Sequence, residues 1–230
     1  MAAIRLAVFD CDGTLVDSQR TILEAMTAAY GVIRLPVPAA DAIRGVVGLS
    51  LPDAVRRLLP PAAHPQADAL AKAYREAFFD LRKNGKIHEP LYPKAKDTLS
   101  ALKGKGILLG IATGKGRRGL IKTLEGHGIL ELFDTLQTAD HHPGKPDPAM
   151  LVAAMRAAAA KPAETLFVGD TTFDIDMGRS AEVTALGVAW GYHPPELLLR
   201  HGAHAIVSTF DEVLPHALRS SPETRRGREA

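Results

Sequence analysis

The chain has 230 residues, 46% hydrophobic, 23% charged and 5% aromatic, with a formal net charge of +2. This composition fits a globular protein of one large domain or two, without the basic, aromatic-rich face of a nucleic-acid binder or an apolar run of membrane-spanning length. The one cysteine, Cys11, excludes an intrachain disulfide and fits a reducing compartment; with no signal-peptide core before Asp10, a cytoplasmic location is expected.

Ile4 to Phe9 reads as a short buried strand, apolar without polar alternation. It runs straight into Asp10-Cys11-Asp12-Gly13-Thr14-Leu15-Val16-Asp17-Ser18. Side chains two apart on extended backbone share a face, so Asp10 and Asp12 are expected to converge past the C-terminal edge of a sheet, where open α/β sheets bind ligands. Converging carboxylates repel unless a cation or proton sits between them, and Mg²⁺ suits oxygen donors of this kind. Cys11 turns away and reads as core filler. Asp-Gly-Thr alone would equally serve as a turn.

From Ser18 the pattern turns helical. Ser18 is placed to cap a helix through Leu23, Met26 and Ala29 to Tyr30, stopped by Gly31. A short helix near Ala39 to Val47, another over Leu51–Leu59 and a longer one over Gln66–Lys83 follow, with no strand signal among them. The second half alternates: helix Lys94–Lys103, strand Ile107–Thr113, helix Gly119–His127, strand Phe133–Thr138, helix Pro148–Ala159, strand Thr165–Val168, helix Ile175–Ser180, strand Val183–Val188, helix Pro195–His201, strand Ala205–Val207 and a last helix to Leu218. Such alternation means a parallel sheet covered on both faces. The expected fold is α/β, a doubly wound, Rossmann-like parallel sheet formed by 1–17 and 90–218, with an all-helical cap over 18–89 inserted after the first strand. The basic segment 219–230 is expected to be a disordered tail.

Three later strand ends carry polar groups. The first is Thr113-Gly114-Lys115. Gly114-x-Gly116-x-x-Gly119 there resembles a dinucleotide fingerprint, with Asp134 twenty residues beyond Gly114. That motif wants its acid at the end of the next strand, and Asp134 precedes it. The second is Gly144-Lys145-Pro146-Asp147-Pro148, where two prolines are expected to hold the backbone extended and fix Lys145. His141 and His142 just before it are adjacent, a poor spacing for chelating one ion, and read as loop residues. The third is Gly169-Asp170-Thr171-Thr172-Phe173-Asp174-Ile175-Asp176. A helix cap and first-turn acids account for Asp174 and for Asp176, expected to be exposed, but not for Asp170 at the end of an apolar strand.

Together these four segments resemble, in order, the motifs of the haloacid dehalogenase superfamily, and the resemblance spans nearly the whole chain. It implies that Asp10 is a nucleophile and Asp12 a general acid/base. Thr113 and Gly114 would bind phosphate, and Lys145 would reach both phosphate and nucleophile. Asp10, the Asp12 backbone carbonyl, Asp170 and Asp174, the last directly or through water, would hold Mg²⁺. Asp12 argues against the dehalogenase branch, and no lysine of the helical block (Lys72, Lys83, Lys86) lies in a distinctive motif for a Schiff base. The nearest likeness is to phosphoglycolate-phosphatase-type hydrolases, whose cap segment Arg44-Gly45-Val46-Val47-Gly48-Leu49-Ser50-Leu51 resembles, with Arg44 and Ser50 as candidate substrate contacts. As plain structural residues, these two would be a solvated helix-end cation and an N-cap serine. The expected activity is Mg²⁺-dependent hydrolysis of small phosphate monoesters through an aspartyl-phosphate. A sugar phosphomutase and a non-enzymatic phospho-accepting signalling domain are the alternatives. The expected partner is a small phosphorylated metabolite, not nucleic acid or membrane, and the chain is expected to be a monomer or homodimer.

Overall fold

The computed structural model describes residues 3–218, so the tail expected over 219–230 lies outside the described residues. Six parallel strands, β1 (Leu6–Phe9), β2 (Leu108–Thr113), β3 (Thr135–Thr138), β4 (Thr165–Gly169), β5 (Thr184–Val188) and β6 (Ala205–Val207), form one sheet in the order β3-β2-β1-β4-β5-β6. All four β1 side chains are fully buried, as a central parallel strand requires. Alternate residues feed opposite layers. Ala7 and Phe9 pack with Leu99, Leu102, Leu120 and Val213 of α5 (Ala95–Gly104), α6 (Arg117–Gly126) and α10 (Val213–Leu218). Leu6 and Val8 pack with Met150, Leu151 and Met177 of α7 (Ala149–Ala157) and α8 (Thr172–Ser180). The short α9 (Pro195–Arg200) lies between β5 and β6 in the chain.

The strand order reverses between β1 and β4, and at such a switch point the loops after neighbouring strands part and leave a crevice. Leu6 stands in register with Thr165 and Phe9 with Val168, and the Asp10 amide donates to the Val168 carbonyl at 2.9 Å. Asp10 and Asp170 therefore leave adjacent strands at the mouth of that crevice.

Between β1 and β2 come α1 (Gln19–Ile33), α2 (Ala40–Arg44), α3 (Leu51–Leu58) and α4 (Ala67–Lys83), built around their own apolar cluster of Ile22, Met26, Tyr30, Val55 and Leu70. Gly31 does not stop α1. The helix runs on to Ile33, which packs against that cluster, and ends at Arg34 with φ 56°; tertiary packing overrides a weak local preference. Ser18 begins α1 without a side-chain capping bond, its Oγ lying instead 3.2 Å from the Tyr192 hydroxyl. The two crossings between sheet and cap pair with each other: Val16 bridges Leu91 antiparallel, the Asp17 amide donates to Pro90 O at 2.9 Å and the Tyr92 amide to Leu15 O at 3.0 Å. The cap is seated on the core, with Val46, Leu49 and Ala54 against Phe173 of α8 and the Arg57 guanidinium 5.1 Å from the Phe173 ring centre. No described helix is long and apolar enough to cross a membrane.

Candidate active site

At the end of β1, Asp10 is fully buried and neither of its oxygens has a hydrogen-bond partner among the described residues. Its neighbour is an ion-pair partner: the Lys145 ammonium lies 2.8 Å from Asp10 Oδ1 and 2.6 Å from Asp174 Oδ1. The loop carrying Lys145 is a turn rather than the extended segment expected from Pro146 and Pro148: the Asp147 amide donates to Gly144 O at 3.1 Å, and the Lys145–Pro146 peptide is cis. Asp170 accepts from the Thr14 hydroxyl at 2.8 Å and the Tyr192 amide at 2.9 Å, so motif-one Thr14 serves to hold an acid of the fourth motif. Asp174 has two duties. Its Oδ2 accepts from the amide and hydroxyl of Thr171 in a capping box at the start of α8, and Oδ1 is given to Lys145. Thr113, at the end of β2, is buried beside Asp10.

Carboxylate oxygens of Asp10, Asp170 and Asp174 all lie within 4.8 Å of one another, and all three residues are buried. Burial above all, helped by the Asp174 charge, raises the Asp10 value from 3.8 to about 6, against the pull of Lys145 and Thr113. Burial, then Asp174 and Asp10, push Asp170 well above the ordinary carboxylate range. Burial would lower the Lys145 ammonium, but Asp10 and Asp174 outweigh it and hold it high. When ionised, the three carboxylates and one ammonium carry two negative charges, the charge of one divalent cation, and Asp10 Oδ2, without a hydrogen-bond partner among the described residues, is a ligand atom of the hard kind Mg²⁺ takes. The donor set fits the ion.

Asp12 stands apart from this group. Beyond Phe9 the backbone leaves the strand, and the expected convergence with Asp10 is replaced by a separate ion pair: Asp12 Oδ1 accepts from Lys115 Nζ at 2.8 Å. Lys115 also reaches Glu89 Oε1 at 2.8 Å, with its side chain 8% exposed. Burial would lower its value, yet Asp12 and Glu89 raise it well above the ordinary lysine value, so it stays charged. Neither Lys115 nor Glu89 was among the residues expected at the site.

The profile described as haloacid dehalogenase-like hydrolase matches residues 7–188. The chain belongs to that family. It is 36% identical over 220 residues to the protein named "Probable phosphatase IndB" of Dickeya dadantii, covering 93% of this chain and 94% of that one. It is 29% identical to the phosphoglycolate phosphatase of Pseudomonas syringae pv. syringae, over 93% of this chain and 80% of that one. Among solved structures, the haloacid dehalogenase-like hydrolase of Streptococcus pneumoniae superposes with a TM-score of 0.81 at 26% identity, covering 93% of this chain and 98% of that one.

The remaining polar residues around these strand ends, and Cys11, take ordinary places. Asp140 accepts from the Arg117 amide at 2.6 Å, filling the helix start a dinucleotide would need, and Asp134 is held by Lys103 and the Leu109 amide. His142 pairs with Gln137, His141 is exposed, and Cys11 is buried in the apolar cluster. Asp176 is half-buried rather than exposed, facing His201 Nδ1 at 3.0 Å. In the cap, Arg44 is engaged by Gln19 at 3.0 Å and by Asp41. Ser50 caps α3 by accepting from the Asp53 amide, and it packs against Gly144, next to Lys145.

Gly13 shows how tightly this family site is built. Its φ is +86°, and a Cβ there would collide with Asp170 Oδ2 and the Tyr192 ring. Gly13→Ala is expected to cost about 1–2 kcal/mol in backbone strain alone and to displace Asp170. Thermal melting should show a lower Tm, with phosphatase turnover reduced at least about tenfold; an unchanged Tm and rate would refute the tight fit.

Proposed function

We propose that this hydrolase is a Mg²⁺-dependent phosphatase that cleaves small phosphate monoesters through an aspartyl-phosphate on Asp10, with phosphoglycolate-like substrates favoured. The observation that carries the reading is Asp10 itself: a buried carboxylate at the switch point, with the Lys145 ammonium 2.8 Å from Oδ1 and no hydrogen-bond partner for Oδ2 among the described residues. An Asp10 oxygen attacks phosphorus in line, forming the new P–O bond as the ester P–O bond breaks. Lys145, the Thr113 hydroxyl and the Gly114 amide receive the equatorial oxygens. Asp12 gives its proton to the departing alkoxide, then takes one from the water that attacks phosphorus and frees Asp10 and orthophosphate. Bound between Asp10, the Asp12 carbonyl, Asp170 and Asp174, Mg²⁺ would supply charge neutralisation for the phosphoryl oxygens.

The cap supports the preference for small leaving groups. A Cβ on Gly114 would run into the carbonyls of Gly48 and Leu49, so the cap loop lies directly on the strand end that receives phosphate. A closed lid of this kind excludes water and leaves a compact compartment for the leaving group. Arg44 and Ser50 are the cap side chains proposed to line it. A receiver that stores its phosphoryl group would have no use for Asp12 as an acid/base.

The test is phosphate release from a panel of small and bulky phosphate esters, with Mg²⁺ or excess chelator. Multiple turnovers on compact alkyl phosphates, lost on chelation and restored by Mg²⁺, are expected. Undiminished turnover in chelator would remove the metal assignment, and a stoichiometric burst without turnover would mean a phosphate-keeping domain.

A further inference from the structure

Lys115 takes no part in the chemistry above, yet it is the partner of the residue assigned both proton transfers. Its ammonium sits 2.8 Å from Asp12 Oδ1 and 2.8 Å from Glu89 Oε1. Glu89 lies on the returning crossing, immediately before Pro90, and its side chain is 3% exposed. The other Glu89 oxygen accepts from Thr123 Oγ1 of α6 at 2.8 Å and from Arg82, near the end of α4, at 2.9 Å. The Phe78 ring of α4 lies 5.1 Å from the Lys115 ammonium. A continuous line of charge-assisted contacts thus runs from a core acid, through a core lysine and a hinge glutamate, to a cap arginine.

We infer that Lys115 and Glu89 are positioning residues that aim the Asp12 carboxylate at the leaving oxygen. This rests on the reading of Asp12 as general acid/base. A proton donor has to stand within about 2.6–3.2 Å of the atom it serves, and a misplacement of about 1 Å can cost about a hundredfold in rate. Asp12 lies on the loop after β1, its backbone bridged to Val16 and its carboxylate held by Lys115. Lys115 holds Oδ1, while Oδ2 accepts from no described residue and stays available to the substrate. With Glu89 balancing its charge, what Lys115 adds at Asp12 is orientation. Glu89 is itself held from two sides, by Thr123 of α6 and by Arg82 of α4, so the anchor it gives Lys115 is fixed at the junction of sheet and cap.

The experiment compares Lys115→Met and Lys115→Arg on p-nitrophenyl phosphate, whose leaving group needs little protonation, and on the best alkyl phosphate of the panel. Lys115→Met is expected to lower kcat for the alkyl ester about 10- to 100-fold and for the aryl ester less than about threefold, with KM little changed. Lys115→Arg, which keeps a cation there, should recover part of the alkyl rate. In an Asp12→Asn background Lys115→Met should cost almost nothing further, since it acts through Asp12. Equal losses on both esters, a loss confined to KM, or full additivity with Asp12→Asn would overturn the inference. If Asp12→Asn itself spared the alkyl ester, the underlying role of Asp12 would be what failed. Should Lys115→Met melt out of its fold, Glu89→Gln removes the far anchor and must show the same selectivity for the poor leaving group.

Discussion

Replacing Asp10 by Asn should abolish both turnover and the phosphoenzyme, and in chelator it should make the protein more stable. The activity loss, at least about 10⁴-fold, follows from removing the proposed nucleophile. The stability gain follows from its surroundings. Burial and Asp174 hold the Asp10 value at about 6 against an ordinary 3.8, so the fold favours the protonated form. That preference contributes stability fully below about pH 4 and loses it as pH rises through about 6, on the order of 3 kcal/mol in all. Asparagine is neutral at every pH and escapes the loss. At pH 8 without metal its Tm should stand above that of the parent by up to roughly 6–12 °C for a domain of this size, the gap closing at acid pH. A Tm equal to or below the parent's at pH 8 would show that Asp10 is not held against its charge.

Lys145→Met should act in the opposite sense on stability and in the same sense on activity. Its ammonium lies within 2.8 Å of both Asp10 and Asp174 and is itself fully buried. Removing one partner of a buried ion pair leaves the other charges uncompensated, typically at about 3–5 kcal/mol, and here the residual charges are three carboxylates. Turnover should fall at least about 10³-fold, because the cation proposed to receive the phosphoryl charge is gone. Mg²⁺ should restore part of the lost stability, since it binds the folded state. In the double variant with Asp10→Asn the destabilisation should shrink by more than about 1 kcal/mol, the sign of direct coupling between the two sites. Denaturant titration in chelator measures all four proteins; a Lys145→Met variant as stable as the parent would contradict the buried triad.

The strand-end acids and the lysine were legible in the sequence because parallel-sheet topology does the assembling. Once Ile4–Phe9 and Thr165–Val168 are read as apolar strands, Asp10 and Asp170 must emerge at one edge, and the reversal of order between β1 and β4 makes them neighbours. Asp174 was legible as a helix cap, while the pairing of its other oxygen with Lys145 was not. Lys115 and Glu89 were not. Their contact spans 26 residues, and the contact of Lys115 with Asp12 spans 103, with no periodicity linking them. The available signal was a lysine just after the end of β2, together with an acid beside Pro90 at the returning crossing. Lys115 was absorbed instead into a glycine pattern whose helix start is filled by Asp140. The end of α1 was misread for a different reason: Gly31 is a weak stop, and Ile33 gains more from the cap's apolar cluster than the glycine costs.

The pairing of Val16 with Leu91 has a consequence for how the sheet tolerates its lid. Bringing two chain segments together costs configurational entropy only logarithmically in the length between them, about 0.6 kcal/mol per doubling. Threading α1 to α4 between β1 and β2 roughly quadruples that connection, which charges the sheet only on the order of 1 kcal/mol. Once Val16 meets Leu91, the inserted segment is a closed ring of chain, and β1 is joined to β2 by a short effective path. The central strand, whose register partners Leu108 and Thr165 lie far along the chain, is thus spared most of the entropic burden of what is inserted beside it.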